Sequence, residues 1–126
     1  MPHPNESISD SVNIALLRGV LSSPPDCRTL PSGSELAQLQ VTTRPDDGAA
    51  VSVPVSVTDP AGWVTALDAG DEVMVAGTVR RRFFRAGGST ASRVEVAAVA
   101  ISRAGDRRGR ARVERALREH LGALDG

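Results

Sequence analysis

The sequence has few of the side chains on which catalytic and metal sites depend. Lysine and tyrosine are absent from its 126 residues, and Cys27 is the single cysteine, which excludes an internal disulfide and a cysteine-based zinc site. The two histidines, His3 and His120, have no second histidine or cysteine at metal-ligand spacing. No acid, base and nucleophile can be combined from this set. We therefore expect a protein that is not an enzyme, with no cofactor, no metal and no small-molecule substrate.

Long apolar runs are also missing. No segment approaches the ~18 consecutive apolar residues that a membrane span needs. Residues 1–10 contain acidic side chains and no apolar stretch of the kind found in a signal peptide. We therefore expect one cytoplasmic domain of modest core size, without a membrane partner.

The charged residues are distributed unevenly along the chain. All 15 basic residues are arginine, and the formal net charge is zero. Residues 1–79 hold 3 arginines and 10 acidic residues, whereas residues 80–126 hold 12 arginines and 5 acidic residues. An asymmetry of this kind points to a polyanionic partner for the basic part. Arginine provides a planar fork for phosphate and stacks on bases. Either coding bias or selection for guanidinium groups accounts for the lack of lysine.

Alternating hydrophobicity predicts five strands. Their approximate ranges are 13–22, 36–43, 51–57, 72–84 and 92–101. In the second strand Ala37, Leu39 and Val41 share one face. Glycine inside the first and fourth strands, at Gly19 and Gly77, predicts a bend or a bulge. Proline cannot donate a ladder hydrogen bond, so Pro54 predicts that the third strand lies at an edge or has a bulge.

Two helices complete the prediction. Residues 60–69 form a short helix, with Asp59 as its N-cap, Pro60 at its first position and Gly70 after its end. Trp63 in this helix is expected to close one end of the sheet structure. The apolar spacing near the C-terminus predicts an amphipathic helix from about 107 to 121. Its stripe includes Ala116, His120 and Leu124 and three candidate partner-binding residues: Val113, Leu117 and Leu121.

The order of these elements predicts the fold class. Three strands, a short helix and two further strands follow the order of an all-β, five-stranded Greek-key OB barrel, here with an appended C-terminal amphipathic helix. We divide the chain into a disordered lead-in (1–11), an OB-fold domain (12–103) and a linker with the helix (104–126). The last helix could cover the barrel, pair with a copy of itself or bind a partner.

The chemistry is concentrated in the fourth strand, the loop after it and the fifth strand. Because alternate residues of a strand share a face, three residues of the fourth strand are assigned to the core: Val73, Val75 and Val79. The opposite, outer face then carries Arg80, Arg82 and Phe84. Guanidinium groups contact phosphates, and an aromatic ring stacks a base with little regard for its identity. This face is therefore suited to a single nucleic-acid strand.

The basic track extends beyond that strand. Arg85 and Arg93 flank a Gly-Gly loop at 85–90, predicted to be flexible, and we assign Arg28 to the same surface. The predicted nucleic-acid-binding residues are thus Arg80, Arg82, Phe84, Arg85, Arg93 and Arg28. The alternative interpretation is a solubilising charged strand end in which Phe83 and Phe84 close the barrel.

The chain resembles bacterial single-stranded DNA-binding proteins from about residue 13 to residue 102. Three blocks in matching order carry the resemblance: NIALLRGVLSSPPDCRTLPSGSELAQLQV, ALDAGDEVMVAGTVRRRFF and SRVEV. The resemblance implies an OB fold, sequence-tolerant binding of single-stranded DNA and a homotetramer built from dimers. It places Phe84 at a base-stacking position of the family, and Arg80 and Arg82 at basic positions.

The sequence departs from the family pattern in three places. Residues 44–47 have no aromatic side chain, and the outward positions of the third strand have none either: Ala50, Ser52, Pro54 and Ser56. The acidic C-terminal tip is not matched by Asp125 and Gly126. A divergent, actinobacterial-type paralogue of modest affinity is the implied member, and the tip's recruitment of other enzymes is not carried over.

Two functional hypotheses follow. The first is a non-enzymatic, sequence-tolerant single-stranded DNA-binding protein of modest affinity that forms a dimer or a tetramer and acts in replication, repair or recombination. The alternative is an OB-fold interaction or assembly module that has lost most DNA binding and uses its C-terminal helix for partners.

Overall fold

The computed structural model describes residues 11–122, and the structural statements below concern that part of the chain. It contains six strands and two helices. The strands are β1 (Ala15–Leu21), β2 (Asp26–Thr29), β3 (Glu35–Thr43), β4 (Val51–Thr58), β5 (Glu72–Ala86) and β6 (Ser89–Arg103), and the helices are α1 (Gly62–Thr65) and α2 (Arg107–Gly122). Most of the predicted lead-in, with His3, and Leu124 lie outside the described residues.

The six strands form one sheet that closes into a ring. The strand order is β1-β5-β6-β4-β3-β2, and β1 also pairs with β3, which closes the ring. The β4–β6 pairing is parallel and short, through Val55↔Val96 and Ser56↔Ala97. The other strand pairs are antiparallel. The predicted all-β class is thus confirmed for an irregular ring. A sixth strand appears because residues 26–29, predicted to lie in a connection, pair with β3.

Ring closure depends on a close approach of β1 to β3 at Gly19. Residues Ala15 to Val20 pair with β5, whereas Val20 and Leu21 pair with β3. A Cβ atom at Gly19 would collide with the carbonyl oxygen of Thr42 on β3. The glycine predicted as a bend therefore allows one strand to contact two neighbours.

The ring encloses the main apolar cluster. Ala37, Leu39 and Val41 of β3 are buried, as the alternation predicts. Buried residues from the other strands and the α1 region complete the cluster: Leu21, Val55, Val57, Val64, Leu67, Val73, Val75 and Val96. Trp63 is half-buried against this cluster, with the Arg103 guanidinium carbon 5.6 Å from the centre of its ring. Trp63 thus packs on the core, and its place at one end of the sheet structure stays a prediction.

The short helix differs from its prediction. It spans only Gly62–Thr65, its N-cap is Ala61, and it has no side-chain cap. Asp59 instead continues the β3–β4 ladder: its N–H donates to the Glu35 carbonyl at 2.7 Å, and its Oδ1 accepts from the Glu35 N–H at 3.0 Å. The carboxylate that the sequence assigned to a helix cap is therefore used by the neighbouring strand.

Pro54 lies in an interior strand, so the predicted edge position is wrong for β4 as a whole. It is opposite Gln40 on β3, and the pairing with β6 begins only at the next residue, Val55. The missing N–H is tolerated because the β6 neighbour is absent at this position.

Strands β5 and β6 continue past the ring as a two-stranded arm. Their antiparallel pairing runs from Val73↔Arg103 to Ala86↔Ser89. The last β4 contact is at Val96, which is opposite Val79, so later residues of β5 have no third strand beside them. The pairing of β5 with β1 ends at Gly77, and Val79 beyond it is 42% exposed, so its assignment to the core was wrong. The register shift at Ala76/Gly77 confirms the predicted irregularity.

The arm ends in a tight turn. The loop at 85–90 was predicted to be flexible, but ladder pairing extends to Ala86 and Ser89. Only Gly87 and Gly88 connect the strands, with φ angles of 58° and 85°. Two successive positive φ angles are typical of a type I′ hairpin turn, which is most easily formed by glycine.

Helix α2 packs on the outside of the sheet. Val113 is fully buried in a second cluster with Met74 and Ala76 of β5, and Ala100 and Ala116 pack against it. Of the three candidate partner-binding residues, Val113 is therefore covered by the chain's own sheet, which corrects that assignment. Leu117 is half-buried and Leu121 is 43% exposed. Neither helix within residues 11–122 has the length and apolar character to cross a membrane.

The substitution Gly19→Ala should destabilise the fold. The added methyl meets backbone at Thr42, which can move only if β1 separates from β3, so we expect a loss of about 1–3 kcal/mol in the free energy of unfolding. Urea unfolding measures this loss. Gly62→Ala is the matched control, because no atom lies within 4 Å of its added Cβ. Equal stability of the two variants would contradict the proposed role of Gly19 in ring closure.

Candidate nucleic-acid interface

An open groove lies between the β5–β6 arm and strands β2 and β3. Its volume is about 360 Å³, within the range of small-ligand sites. Eight residues line it: Asp26, Arg28, Gln38, Arg82, Phe83, Phe84, Arg85 and Arg93. Five of the six predicted nucleic-acid-binding residues are among them. The sixth, Arg80, is joined to the groove through its contact with the same carboxylate as Arg82.

That carboxylate belongs to Glu95, which lies beneath the groove on β6. Its side chain is 1% exposed, although strand alternation puts it on the opposite face from the core residue Val96. The Nε of Arg82 donates to Oε1 at 2.7 Å, and the Nε of Arg80 donates to Oε2 at 3.1 Å. One terminal nitrogen of Arg80 also donates to Ser56 Oγ on β4 at 3.3 Å. The cluster of Glu95, Arg80, Arg82 and Ser56 thus connects the arm to the ring.

Electrostatics keep Glu95 ionised. Burial acts to raise the pKa of its carboxyl, but hydrogen bonds from Arg82, Ser56 and Arg80 together with the charge of Arg82 outweigh burial, so the pKa lies below its ordinary value. A buried carboxylate of this kind persists only with such partners. Glu95 is therefore a fixed negative charge at neutral pH.

The two arginines keep free donors for a second anion. Arg82 uses Nε for Glu95, and within residues 11–122 neither of its terminal nitrogens has a hydrogen-bond partner. The Arg82 side chain is 24% exposed and that of Arg80 46% exposed. A guanidinium has five donor hydrogens in a planar fork, so each arginine can hold Glu95 and still contact a phosphate oxygen.

Phe84 is exposed in the groove and already has a neighbour. Its side chain is 41% exposed, and the guanidinium carbon of Arg93 lies 6.0 Å from the ring centre. Arg93 is opposite Arg82 in the β5–β6 register, and its Nε is buried without a hydrogen-bond partner. Arg82 and Arg93 are two positive charges that face each other, and the Nε of Arg93 has no acceptor among the described residues. This part of the groove therefore carries excess positive charge.

Phe83 contributes a second exposed ring, which was not among the predicted binding residues. It is 67% exposed and lines the same groove, although alternation puts it on the other face of the arm from Phe84. The alternative in which both phenylalanines close the barrel is therefore wrong. They lie on the arm, which extends beyond the ring.

The groove is basic overall. Arg28 lies on β2, with a terminal nitrogen 3.1 Å from Asp26 Oδ2, and Arg85 lies near the end of the arm. Five guanidinium groups, those of Arg28, Arg80, Arg82, Arg85 and Arg93, meet two carboxylates, those of Asp26 and Glu95. The surplus of positive charge favours a polyanion.

Four polar residues of the site were not predicted from the sequence: Asp26, Gln38, Ser56 and Glu95. For Glu95 a signal existed, because it is the sole acidic residue between positions 80 and 105. Ser56 was predicted to lie on an outward face, and nothing in the local pattern links it to the arginines. Asp26 and Gln38 reach the groove through the β2–β3 pairing, which was not predicted.

The described residues contain little else that could form a reactive centre. Within residues 11–122 no group of three or more histidine, cysteine, aspartate and glutamate side chains is arranged to hold a metal ion. Cys27 is exposed and lies on β2 rather than in a loop. His120 is exposed, with Nδ1 2.9 Å from the Ala116 carbonyl oxygen, and does not pack in the helix stripe as predicted.

No protein-family model matches the sequence, and a search of curated proteins finds no significant match. The resemblance to bacterial single-stranded DNA-binding proteins therefore rests on the three sequence blocks quoted above.

Acidification should destabilise the wild type more than Glu95→Gln. The folded pKa of Glu95 is lowered, so its carboxylate stabilises the fold above the ordinary glutamate pKa of about 4.3, and this contribution is lost as the pH falls through the folded pKa. Glutamine has no charge to lose. At neutral pH we expect the variant to be less stable by about 1–3 kcal/mol.

Urea unfolding of both proteins from neutral pH to about pH 3 measures this difference. The stability gap should narrow with acidification. A gap that stays constant over the whole range would contradict the assignment of Glu95 as an ionised, arginine-held carboxylate.

Proposed function

We propose that this chain is a non-enzymatic OB-fold protein that binds single-stranded DNA with little sequence preference and modest affinity, in replication, repair or recombination. The observation that carries the proposal is the convergence of Arg82, Arg85, Arg93 and the two phenylalanines on one open groove. Arginines that contact phosphates, combined with exposed rings that stack bases, are the usual components of such a surface.

The strand order supports the OB assignment. With β2 left aside, the ring runs β1-β5-β6-β4-β3 and contains one parallel pair, β4–β6. OB folds bind oligonucleotides on the face of their second and third strands and on the loops after the first and fourth strands. In an OB fold the groove would lie in this region, because β2 follows the first strand of the ring and the arm follows the fourth.

A single strand fits the groove better than a duplex. Stacking on Phe83 or Phe84 requires an unpaired base with an open face, whereas the bases of a duplex already stack on each other. Both rings are more than 40% exposed. Stacking and phosphate contacts do not read base identity, which supports sequence tolerance.

The expected affinity is modest because few rings are available. Trp63 packs on the core, so Phe83 and Phe84 are the aromatic side chains at the surface of residues 11–122. Glu95 and Asp26 offset part of the arginine charge. The proposal includes a homo-oligomer, dimer or tetramer, on the strength of the family resemblance alone.

Phe84→Ala should weaken binding of a fluorescein-labelled oligo-dT. Loss of one stacking ring costs ~1–3 kcal/mol, so we expect the dissociation constant to rise about 5- to 150-fold in fluorescence anisotropy at low salt. Leu16→Ala is the matched control, because Leu16 is an exposed apolar residue (44%) on β1 that does not line the groove.

Arginine variants test the phosphate contacts in the same assay. Arg82→Ala should reduce the slope of log K against log salt by about 0.7 for each phosphate that the Arg82 side chain neutralises. Arg18→Ala removes the same charge from β1, where Arg18 pairs with Glu72 at 3.3 Å, and should leave the slope nearly unchanged. Absence of wild-type binding even at low salt would refute the proposed function.

A further inference from the structure

Glu95, the acidic residue beneath the groove, is bound to two of the arginines of the candidate interface. Glu95 lies on the outer face of β6, directly opposite Arg80 in the strand register and buried under the side chains of Arg80 and Arg82. A carboxylate whose two oxygens each accept from a different arginine makes the contacts that a phosphate would make. Glu95 is therefore already bound to Arg80 and Arg82, the two arginines that the proposed function assigns to nucleic acid.

A structural role explains only part of this arrangement. A buried ion pair is weak evidence for stabilisation, because the cost of removing charges from water offsets most of the attraction, and apolar residues of similar size often serve as well. The position opposite Arg80 is at the point where the arm leaves the ring, and Val79 and Val94 on the other face of the arm are apolar and exposed. Apolar side chains are thus accepted in this part of the arm, yet the groove side has a charged one.

The geometry divides the donors of each arginine between two anions. Glu95 takes the Nε atoms at 2.7 and 3.1 Å, and the terminal nitrogens of Arg82 remain without a partner within residues 11–122. An incoming phosphate must share these guanidinium groups with an anion that is already present. Because like charges repel, the carboxylate opposes the phosphate while it neutralises part of the charge that attracts it.

We propose that Glu95 acts as a built-in competitor of nucleic-acid phosphate for Arg80 and Arg82, and so limits the affinity of the groove for single-stranded DNA. This inference rests on the proposed function. It assigns the affinity of the site to an internal anion as well as to the small number of aromatic rings. Its alternative is a positioning role, in which Glu95 holds the arginines in the orientation that phosphate requires.

The substitution Glu95→Gln separates the two roles by the sign of its effect. Competition predicts that oligo-dT binds the variant about tenfold more tightly at moderate salt, with a salt slope steeper by about 0.7, because one more cation becomes available to phosphate. Positioning predicts weaker binding. Glu72→Gln on β5 is the matched control: it removes the same charge from an exposed pair with Arg18 and should change binding little.

The outcomes distinguish this inference from the proposed function. Wild-type binding with a weakened or unchanged Glu95→Gln variant overturns competition by Glu95 and leaves the function intact. An equal gain in Glu72→Gln also overturns it, since net charge would then be the cause. Absence of binding by every protein at low salt removes both proposals.

A measurement on the unaltered chain covers the case in which Glu95→Gln does not fold. The Nε–Hε NMR signals of Arg80 and Arg82 report the bonds to Glu95 directly. Competition predicts that saturating oligo-dT shifts both signals, because phosphate and carboxylate then share the guanidinium groups. Unshifted signals in a fully bound protein would overturn the inference.

Discussion

The carboxylate of Glu95 lies where the arm joins the ring, and its contacts hold the two together. Strand β6 pairs with β4 at Val96 and Ala97 only, so in the arm, before Val96, β6 pairs with β5 alone. At the next position Glu95 binds Arg80 and Arg82 of the arm, and Arg80 reaches Ser56 of β4. One buried charge therefore links the arm to the ring by side chains where backbone pairing has ended. The direction of the arm, and with it the wall of the groove, depends on that link.

Much of the fold follows from local pattern. Alternation located β3 and its buried residues Ala37, Leu39 and Val41, and the helical period located α2 within about one residue of its bounds. Glycine inside an apolar strand marked Gly19 as a special position, and the structure shows a close approach to Thr42 there. Alternation says which residues share a face, however, and not where the ring ends. Val79 continues the core parity of Val73 and Val75, yet it is exposed because the pairing of β5 with β1 ends two residues earlier, at Gly77.

The arginines of the candidate site could be predicted from the sequence, whereas the buried carboxylate of Glu95 could not. Arginines are long and remain near the surface wherever the strand runs, so their number and spacing alone indicated a basic track. Burial of Glu95 depends on two arginines 13 and 15 residues away and on a serine from another strand. No local pattern encodes such a set of partners. Asp59 shows the same limit, because its carboxylate caps the Glu35 N–H across the sheet rather than the helix that follows it.

The distribution of aromatic rings adds a second constraint on the groove. Of three rings, Trp63 packs on the core under Arg103, and the two phenylalanines lie side by side in sequence on opposite faces of the arm. A single strand bound as proposed would meet one ring on the Arg82 face and the other only by passing the edge of the arm. Arg93 extends the Phe84 face, since a guanidinium plane also stacks on bases. Under the proposed function, a chain with so few aromatic residues would need arginine to supply stacking area as well as charge. Glu95 takes the Nε donors of Arg80 and Arg82, whereas Arg93 beside Phe84 has no bond to it, so the internal anion acts on the charge of the groove more than on its stacking area.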